Sequence, residues 1–296
     1  MEPSDSKFTP PADVAAALDL RHAIQEGSVS HFFRHRRLSL AHFLTDTPSG
    51  TPLTKAAECG WLTTVATHLR KNGETLSLDH LMAKDHLGNT ALQLAADKGN
   101  LNQVASLLQA SDETLTLSHV LADHGADNTL LHWATNKRQL DRIAALLKKS
   151  GQVLELDHFL RPNQFGQTAL HWAASRGCLD QVEEIVRPAG KTPFTSALLL
   201  LPDKQGATPL ERAVLSEHLD RVFVPARWAG RAPEMLALWN HVPEAKRGQI
   251  PFQEWLHETL LLKRTLPLLE KDSFRTAARP SSPLPVQDSP RRERSS

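Results

Sequence analysis

Apolar residues recur along this chain in two short runs at helical spacing, and the pair of runs keeps returning. In the stretch 164–186, Ala169, Leu170, Ala173 and Ala174 form one run, and Leu179, Val182, Ile185 and Val186 form the other. Each reads as the buried stripe of a short amphipathic helix. Gly177 lies between them, where a residue able to adopt positive φ can end one helix and start the next. Gly166 just upstream suits a tight turn. The pattern predicts turn, helix, turn, helix, with first helices near 52–58, 91–97, 130–136, 169–175 and 209–215. Each second helix is expected about three residues later. No such unit can cover its own apolar face, so neighbours must stack on both sides. The alanines keep the first helix thin enough for that stacking.

The same wording appears five times. Beside QFGQTALHWAASRGCLDQVEEIV from Gln164 stand TPSGTPLTKAAECGWLTTVATHL from Thr47, HLGNTALQLAADKGNLNQVASLL from His86, GADNTLLHWATNKRQLDRIAALL from Gly125 and KQGATPLERAVLSEHLDRVFV from Lys204. The threonines Thr51, Thr90, Thr129, Thr168 and Thr208 are separated by 39, 39, 39 and 40 residues. A fixed period in this range is the signature of a stacked repeat array. The shared phrase G-x-T-P/A-L-H-x-A-A-x-x-G-x-L-x-x-V resembles the ankyrin repeat, and the regular step is similar to bacterial ankyrin arrays. The resemblance implies an all-α ankyrin-repeat solenoid, with a degenerate N-terminal cap and a helical C-terminal cap.

The ordinary ankyrin unit is shorter, and a second motif accounts for the difference: LSLAHFL from Leu38, LSLDHLM from Leu76, LTLSHVL from Leu115 and LELDHFL from Leu154. Its apolar positions suit a short helical turn beneath the connecting finger. In the fifth copy it becomes FTSALLL from Phe194. The motif produces a ladder of histidines, His42, His80, His119 and His158. Stacked helices lie ~8–10 Å apart, whereas a zinc ion needs its nitrogens ~2 Å away. Equivalent histidines therefore cannot share a metal, and each is expected to bond a nearby backbone group. The pairs His132-Trp133 and His171-Trp172 fall on first-helix positions that, in the ankyrin family, bond the turn and fill the core.

Departures from the pattern locate expected irregularities. Asp127 stands for a turn glycine, Arg138 and Glu217 stand for inter-helix glycines, and Glu211 stands for the first-helix histidine. Asp tolerates the left-handed region; Arg138 and Glu217 predict locally altered turns. Leu20 to Gly27 aligns with Leu53 to Gly60 without the threonine, as an N-terminal cap should. Past Val224 the register is lost, with short helices expected at 234–240 and 252–263. The resulting division is a disordered lead 1–12, an array 13–225, a helical cap or divergent repeat 226–272, and a disordered Ser-, Pro- and Arg-rich tail 273–296.

Composition narrows the function. The net charge of +1 steers the chain toward neither nucleic acid nor an acidic membrane. No apolar run approaches the ~20 residues of a spanning helix, and the polar N-terminus carries no signal-peptide core. Two cysteines at unrelated offsets, Cys59 and Cys178, point to a reducing compartment, so a cytoplasmic monomer is expected. Phosphate-binding loops, paired-Cys metal frameworks, G-x-S-x-G and HExxH are not present. The reading is no enzyme and no cofactor or metal, but a scaffold or adaptor that binds a protein partner. The alternative is an effector of an intracellular bacterium, secreted into the host cell to bind host proteins.

Resemblance to ankyrin proteins places binding residues on the turn tips and first-helix edges, which line a concave strip. The tip residues are His86, Leu87, His124, Gln164, Phe165, Lys204 and Gln205. The edge residues are Asp97, Lys98, Asn136, Lys137, Ser175 and Arg176. Leu87 and Phe165 are the strongest of these, because apolar groups on a turn tip need a reason. Lys98, Lys137, Arg138 and Arg176, opposed chiefly by Asp97, favour a partner with an acidic surface.

Overall fold

The computed structural model describes residues 12–34, 36–187, 195–228 and 231–261. The expected tail 273–296 lies outside these, as does the lead except Ala12, which opens the first helix. The described chain is helical: α1 Ala12–Gln25, α2 Val29–Arg34, α3 Leu40–Leu44, α4 Pro52–Cys59, α5 Leu62–Lys71, α6 Leu78–Met82 and α7 Ala91–Lys98. There follow α8 Leu101–Ser111, α9 Leu117–Leu121, α10 Leu130–Thr135, α11 Leu140–Lys149, α12 Leu156–Phe159 and α13 Ala169–Ser175. The C-terminal part comprises α14 Leu179–Val186, α15 Ser196–Leu199, α16 Pro209–Leu215, α17 Leu219–Val222 and α18 Ala232–Trp239, then α19 at 252–261. Among the described residues there is no β-sheet, only a single bridge between Lys84 and Thr90. No described helix is long and apolar enough to cross a membrane.

First helices pack on first helices in chain order, α1 on α4, α4 on α7, α7 on α10, α10 on α13 and α13 on α16. One leucine per unit carries this contact: Leu53, Leu92, Leu131, Leu170 and Leu210 are at most 1% exposed. Small residues beside them, such as Ala95, Ala134 and Ala173, let the helices approach. Second helices contribute Leu62 and Val65, Leu101 and Val104, Leu140 and Ile143, Leu179 and Val182, all fully buried. The short helices α3, α6, α9, α12 and α15 each add one side chain at 0% exposure: Phe43, Leu81, Val120, Phe159 and Leu199. They are the inserted segment that lengthens the step, and each docks on the following unit. The Leu78 N–H donates to Glu113 Oε2 at 2.8 Å. The Leu117 N–H donates to Gln152 Oε1 at 2.6 Å.

The histidine ladder is a set of helix caps. The N–H groups of Ser39, Ser77, Thr116 and Glu155 donate to Nδ1 of His42, His80, His119 and His158 at 3.1, 3.1, 3.2 and 2.9 Å. First helices use the same device. His132 and His171 Nδ1 accept from the Thr129 and Thr168 N–H groups, both at 3.1 Å. Where the histidine is replaced, Glu211 Oε2 accepts from the Thr208 N–H at 2.9 Å. In every case the third helical residue reaches back to satisfy a donor the helix leaves over.

The expectation of altered turns at Arg138 and Glu217 is wrong. Both adopt positive φ, 53° and 61°, beside 77°, 90° and 63° at Gly60, Gly99 and Gly177. The closing bond is the same in all five: the N–H groups of Trp61, Asn100, Gln139, Cys178 and His218 donate to carbonyls five residues back, at 2.6–2.9 Å. Packing on both sides holds the turn and overrides the residue's own preference. Arg138 also repays part of the strain, donating to the Gly177 carbonyl at 2.6 Å and to Asp180.

At the N-terminal end α1 covers α4 with Leu20, Ala23 and Ile24, and Arg21 donates to the Thr51 carbonyl at 3.0 Å. At the other end Trp239 stacks on Phe252 with ring centroids 4.0 Å apart, and Phe223 meets both edge-on. The Arg227 guanidinium joins this cluster to Glu183 of α14 at 2.7 Å.

Three substitutions test this account by urea unfolding. Glu217→Gly relieves a left-handed residue that is otherwise exposed, and should raise stability by up to about 1 kcal/mol. Gly177→Ala should lower it by at least that much, because the added Cβ would meet the His218 ring at 3.0 Å. His80→Ala removes one cap and should cost about 1 kcal/mol.

Candidate protein-binding surface

Four connecting fingers end in a tight turn whose first residue folds its side chain inward. Asp85 Oδ1 accepts from the Leu87 and Asn89 N–H groups at 3.0 and 2.8 Å. Asn163 Oδ1 does the same for Phe165 and Gln167, and Asp203 Oδ1 for Gln205 and Ala207, all at 2.9 Å. Those side chains are buried, so the two residues that follow project outward. His86, Leu87, Gln164, Phe165, Lys204 and Gln205 are all exposed, with Leu87 at 56% and Phe165 at 48%.

His124 does not belong with them. It occupies the inward first position of its turn and is 0% exposed. Its Nδ1 lies 3.0 Å from Thr90 Oγ1, and its Nε2–H donates to the His119 carbonyl at 2.8 Å. The tip here is formed by Ala126 and Asp127, both exposed and with positive φ, so the projecting positions lie two and three residues beyond His124.

The edge residues form a polar chain along the ends of the first helices. Lys98 lies 3.1 Å from Asp97 and 3.8 Å from Glu58. Asn136 donates to Asp97 at 2.5 Å, and Arg176 donates to Asn136 at 3.0 Å. Ser175 contacts Ser216 at 3.1 Å. The expected local excess of positive charge is smaller than the sequence implies, because Lys98 is shared by two carboxylates. Arg138 has left the strip to bind Asp180 at 2.9 Å. Lys137 and Arg176 remain without a carboxylate partner among the described residues.

Reading the His-Trp pairs as core holds for the histidines and fails for the tryptophans. His132 and His171 are buried, and each Nε2–H donates across to the next unit, to the Gln167 and Ala207 carbonyls at 3.1 and 3.2 Å. Trp133 and Trp172 are only half-buried. They meet edge-on with centroids 5.4 Å apart. The Trp133 Nε1–H is buried without an acceptor among the described residues, while Trp172 donates to Gln167 at 3.2 Å. Beside Trp172 an open hollow of ≈170 Å³ is lined by Gln167, Ser175, Arg176 and Arg212 as well. Leu215, in the register of Asp97, Asn136 and Ser175, is 74% exposed on the same row.

The structural frame is electrostatically quiet. Burial lowers the pKa of His124, His132 and His171, with His132 reaching about 4. Nδ1 of His132 and His171 already accepts from a backbone N–H, a bond that a second proton would break. Burial raises the Asp203 carboxyl, but the Arg212 guanidinium at 2.8 Å and two backbone N–H groups outweigh it and hold the pKa below the ordinary value. Burial pushes the Cys178 thiol up to about 12, which disfavours its thiolate; neither cysteine is in a disulfide.

With the paired helices, the inward-capped turns and the shared inter-helix turn established, comparison with known families is decisive. The family model for ankyrin repeats, in three copies, matches residues 109–193. The chain carries ankyrin repeats. Comparison with curated proteins finds no match. Ankyrin repeats generally mediate protein–protein interaction and ankyrin-repeat proteins are typically non-enzymatic scaffolds, which fits a frame whose abnormal titrating groups all serve repeat-to-repeat bonds.

The buried histidines carry a pH prediction for this ankyrin array. His132 is neutral when folded and titrates near its ordinary 6.5 when unfolded, so the unfolded chain binds more protons between these values. Stability is therefore complete above pH 6.5 and falls as the pH drops toward 4, by roughly 2 kcal/mol at pH 5 from His132 alone. Thermal unfolding at both pH values should show the fall. His132→Gln, which copies Gln93 of the preceding repeat, should flatten it.

Proposed function

We propose that this protein is an adaptor that holds a partner protein on the ankyrin face formed by turn tips and first helices, the concave face of the family. The observation that carries the reading is the pair Trp133 and Trp172, half-buried and edge-on, on an array that also exposes Phe165 at a turn tip and Leu215 at a first-helix edge. Aromatic groups that keep part of their surface in water, next to a shallow hollow, are the usual energetic centre of a protein interface. An unsatisfied indole N–H costs about 1–3 kcal/mol, and tolerance of that cost at Trp133 supports selection for something besides stability. Leu87 extends the apolar row toward the N-terminal repeats. Lys98, Asp97, Asn136 and Ser175 form the hydrogen-bonding rim, with His86, Gln164, Lys204 and Gln205 at the tips. Lys137 and Arg176 favour an acidic patch on the partner.

The exposed side of the second helices is polar, as Asp141 and Arg142 illustrate, and offers no comparable anchor. Affinity capture with the full chain and quantitative mass spectrometry tests the assignment. A partner retained by the wild type should bind at least about tenfold more weakly to Trp172→Ala and Phe165→Ala. Lys137→Glu with Arg176→Glu should slow association in a salt-dependent way, whereas Arg142→Glu should be silent. Loss of binding only in Arg142→Glu would move the interface to the second helices and refute the proposal.

A further inference from the structure

The densest run of positive charge lies away from that face. The segment HFFRHRR occupies 31–37, and α2 with Arg36 and Arg37 borders a cleft shared with α5. The cleft has a volume of ≈760 Å³, and four cations line it, Arg34, Arg36, Arg37 and Lys71, together with Thr63 and Thr67; the Thr67 hydroxyl donates to the Thr63 carbonyl at 2.8 Å. Arg36 is held at 3.7 Å from Asp19 and lies over the Phe32 ring. Arg34, Arg37 and Lys71 are exposed and have no carboxylate partner among the described residues. Glu74 borders an adjoining hollow and accepts from the Leu40 N–H. The rings in the wall are already engaged. Phe33 stacks on His68 at 4.4 Å, and His68 Nε2 accepts from the Leu38 N–H at 3.4 Å.

We propose that this cleft binds a small, multiply phosphorylated anion. Three uncompensated cations around one hollow, in a chain whose net charge is only +1, concentrate a positive potential that like-charged side chains otherwise avoid. Arginine forks and the lysine ammonium donate and cannot accept, which suits phosphate oxygens better than it suits a neutral polar ligand. The volume matches a compact ligand of a few phosphate groups. A long acidic chain or nucleic acid would need a stripe of charge, and the cations here are confined to one cleft. The ligand could be free in solution or the headgroup of a lipid; the chemistry recognised is the same.

Two probes distinguish the sources in the full-length protein. Calorimetric titration with inositol hexakisphosphate reports the soluble form, and flotation with phosphatidylcholine vesicles containing a few per cent phosphatidylinositol bisphosphate reports the lipid form. Saturable binding in either arm supports the proposal, provided that Arg34→Ala with Arg37→Ala and Lys71→Ala weakens it at least about tenfold. These exposed substitutions should leave the helical circular dichroism unchanged. Arg142→Ala with Lys148→Ala on α11, the control, should bind as the wild type does. The proposal is overturned by no binding in either arm, by equal loss in the control, or by equal flotation with phosphatidylserine vesicles. A polyglutamate peptide that binds as tightly as the hexakisphosphate would also overturn it and make the cleft an acidic-peptide site.

Discussion

The contact of one first helix with the next is the interaction on which this molecule depends. A single repeat has an apolar face and nothing of its own to cover it. The buried row Leu53, Leu92, Leu131, Leu170 and Leu210 is therefore stable only as a row. Directional bonds set its register. His132 and His171 donate to carbonyls of the following repeat, and Asn100 donates to the Ala57 carbonyl of the preceding one at 2.9 Å. Each side chain satisfies a backbone group that the neighbour's turn or helix end leaves over, so a slip of one residue would cost packing and hydrogen bonds together.

A frame built this way separates structure from recognition. Positions that face the next repeat are held to leucine, alanine, threonine and histidine. Positions at the tips and helix edges carry no such constraint and can take any chemistry. In this protein they take two kinds. The rim is polar and largely self-neutralised, through the chain from Glu58 by way of Lys98, Asp97 and Asn136 to Arg176. The centre is aromatic, at Trp133 and Trp172. The inserted short helix adds rigidity to this arrangement, because its N-terminus is capped from within by histidine and from the next repeat by Glu113 or Gln152.

How much of this was legible in the sequence differs from residue to residue. The threonine spacing and the paired apolar runs located the helices to within a residue or two, since stacking forces the pattern into every copy. Helix spacing alone argued against a metal shared along the histidine ladder and left a bond to nearby backbone; that the bond is a helix cap needed the structure. The kept turns at Arg138 and Glu217 were not legible, because tertiary packing there overrides local preference. His124 was misread as a tip residue; the inward position is marked by Asp85, Asn163 and Asp203, and His124 sits in their register. The tryptophans were read as core because the His-Trp pairs fall on first-helix positions that fill the core in the ankyrin family. Yet the same position holds Lys55 and Arg212 in other copies, neither of them buried, and that was the signal that it meets water. The cleft beside α2 needed the fold, which brings Lys71 to the arginines of 34–37.

Hydroxyl-radical footprinting of the full chain, alone and with its captured partner, tests most directly where recognition occurs. The account predicts that oxidation of Trp172, Phe165 and Leu215 is suppressed in the complex while that of the exposed Val153 and Leu236 is unchanged. Suppression at Val153 and Leu236 with Trp172 and Phe165 unaffected would contradict it.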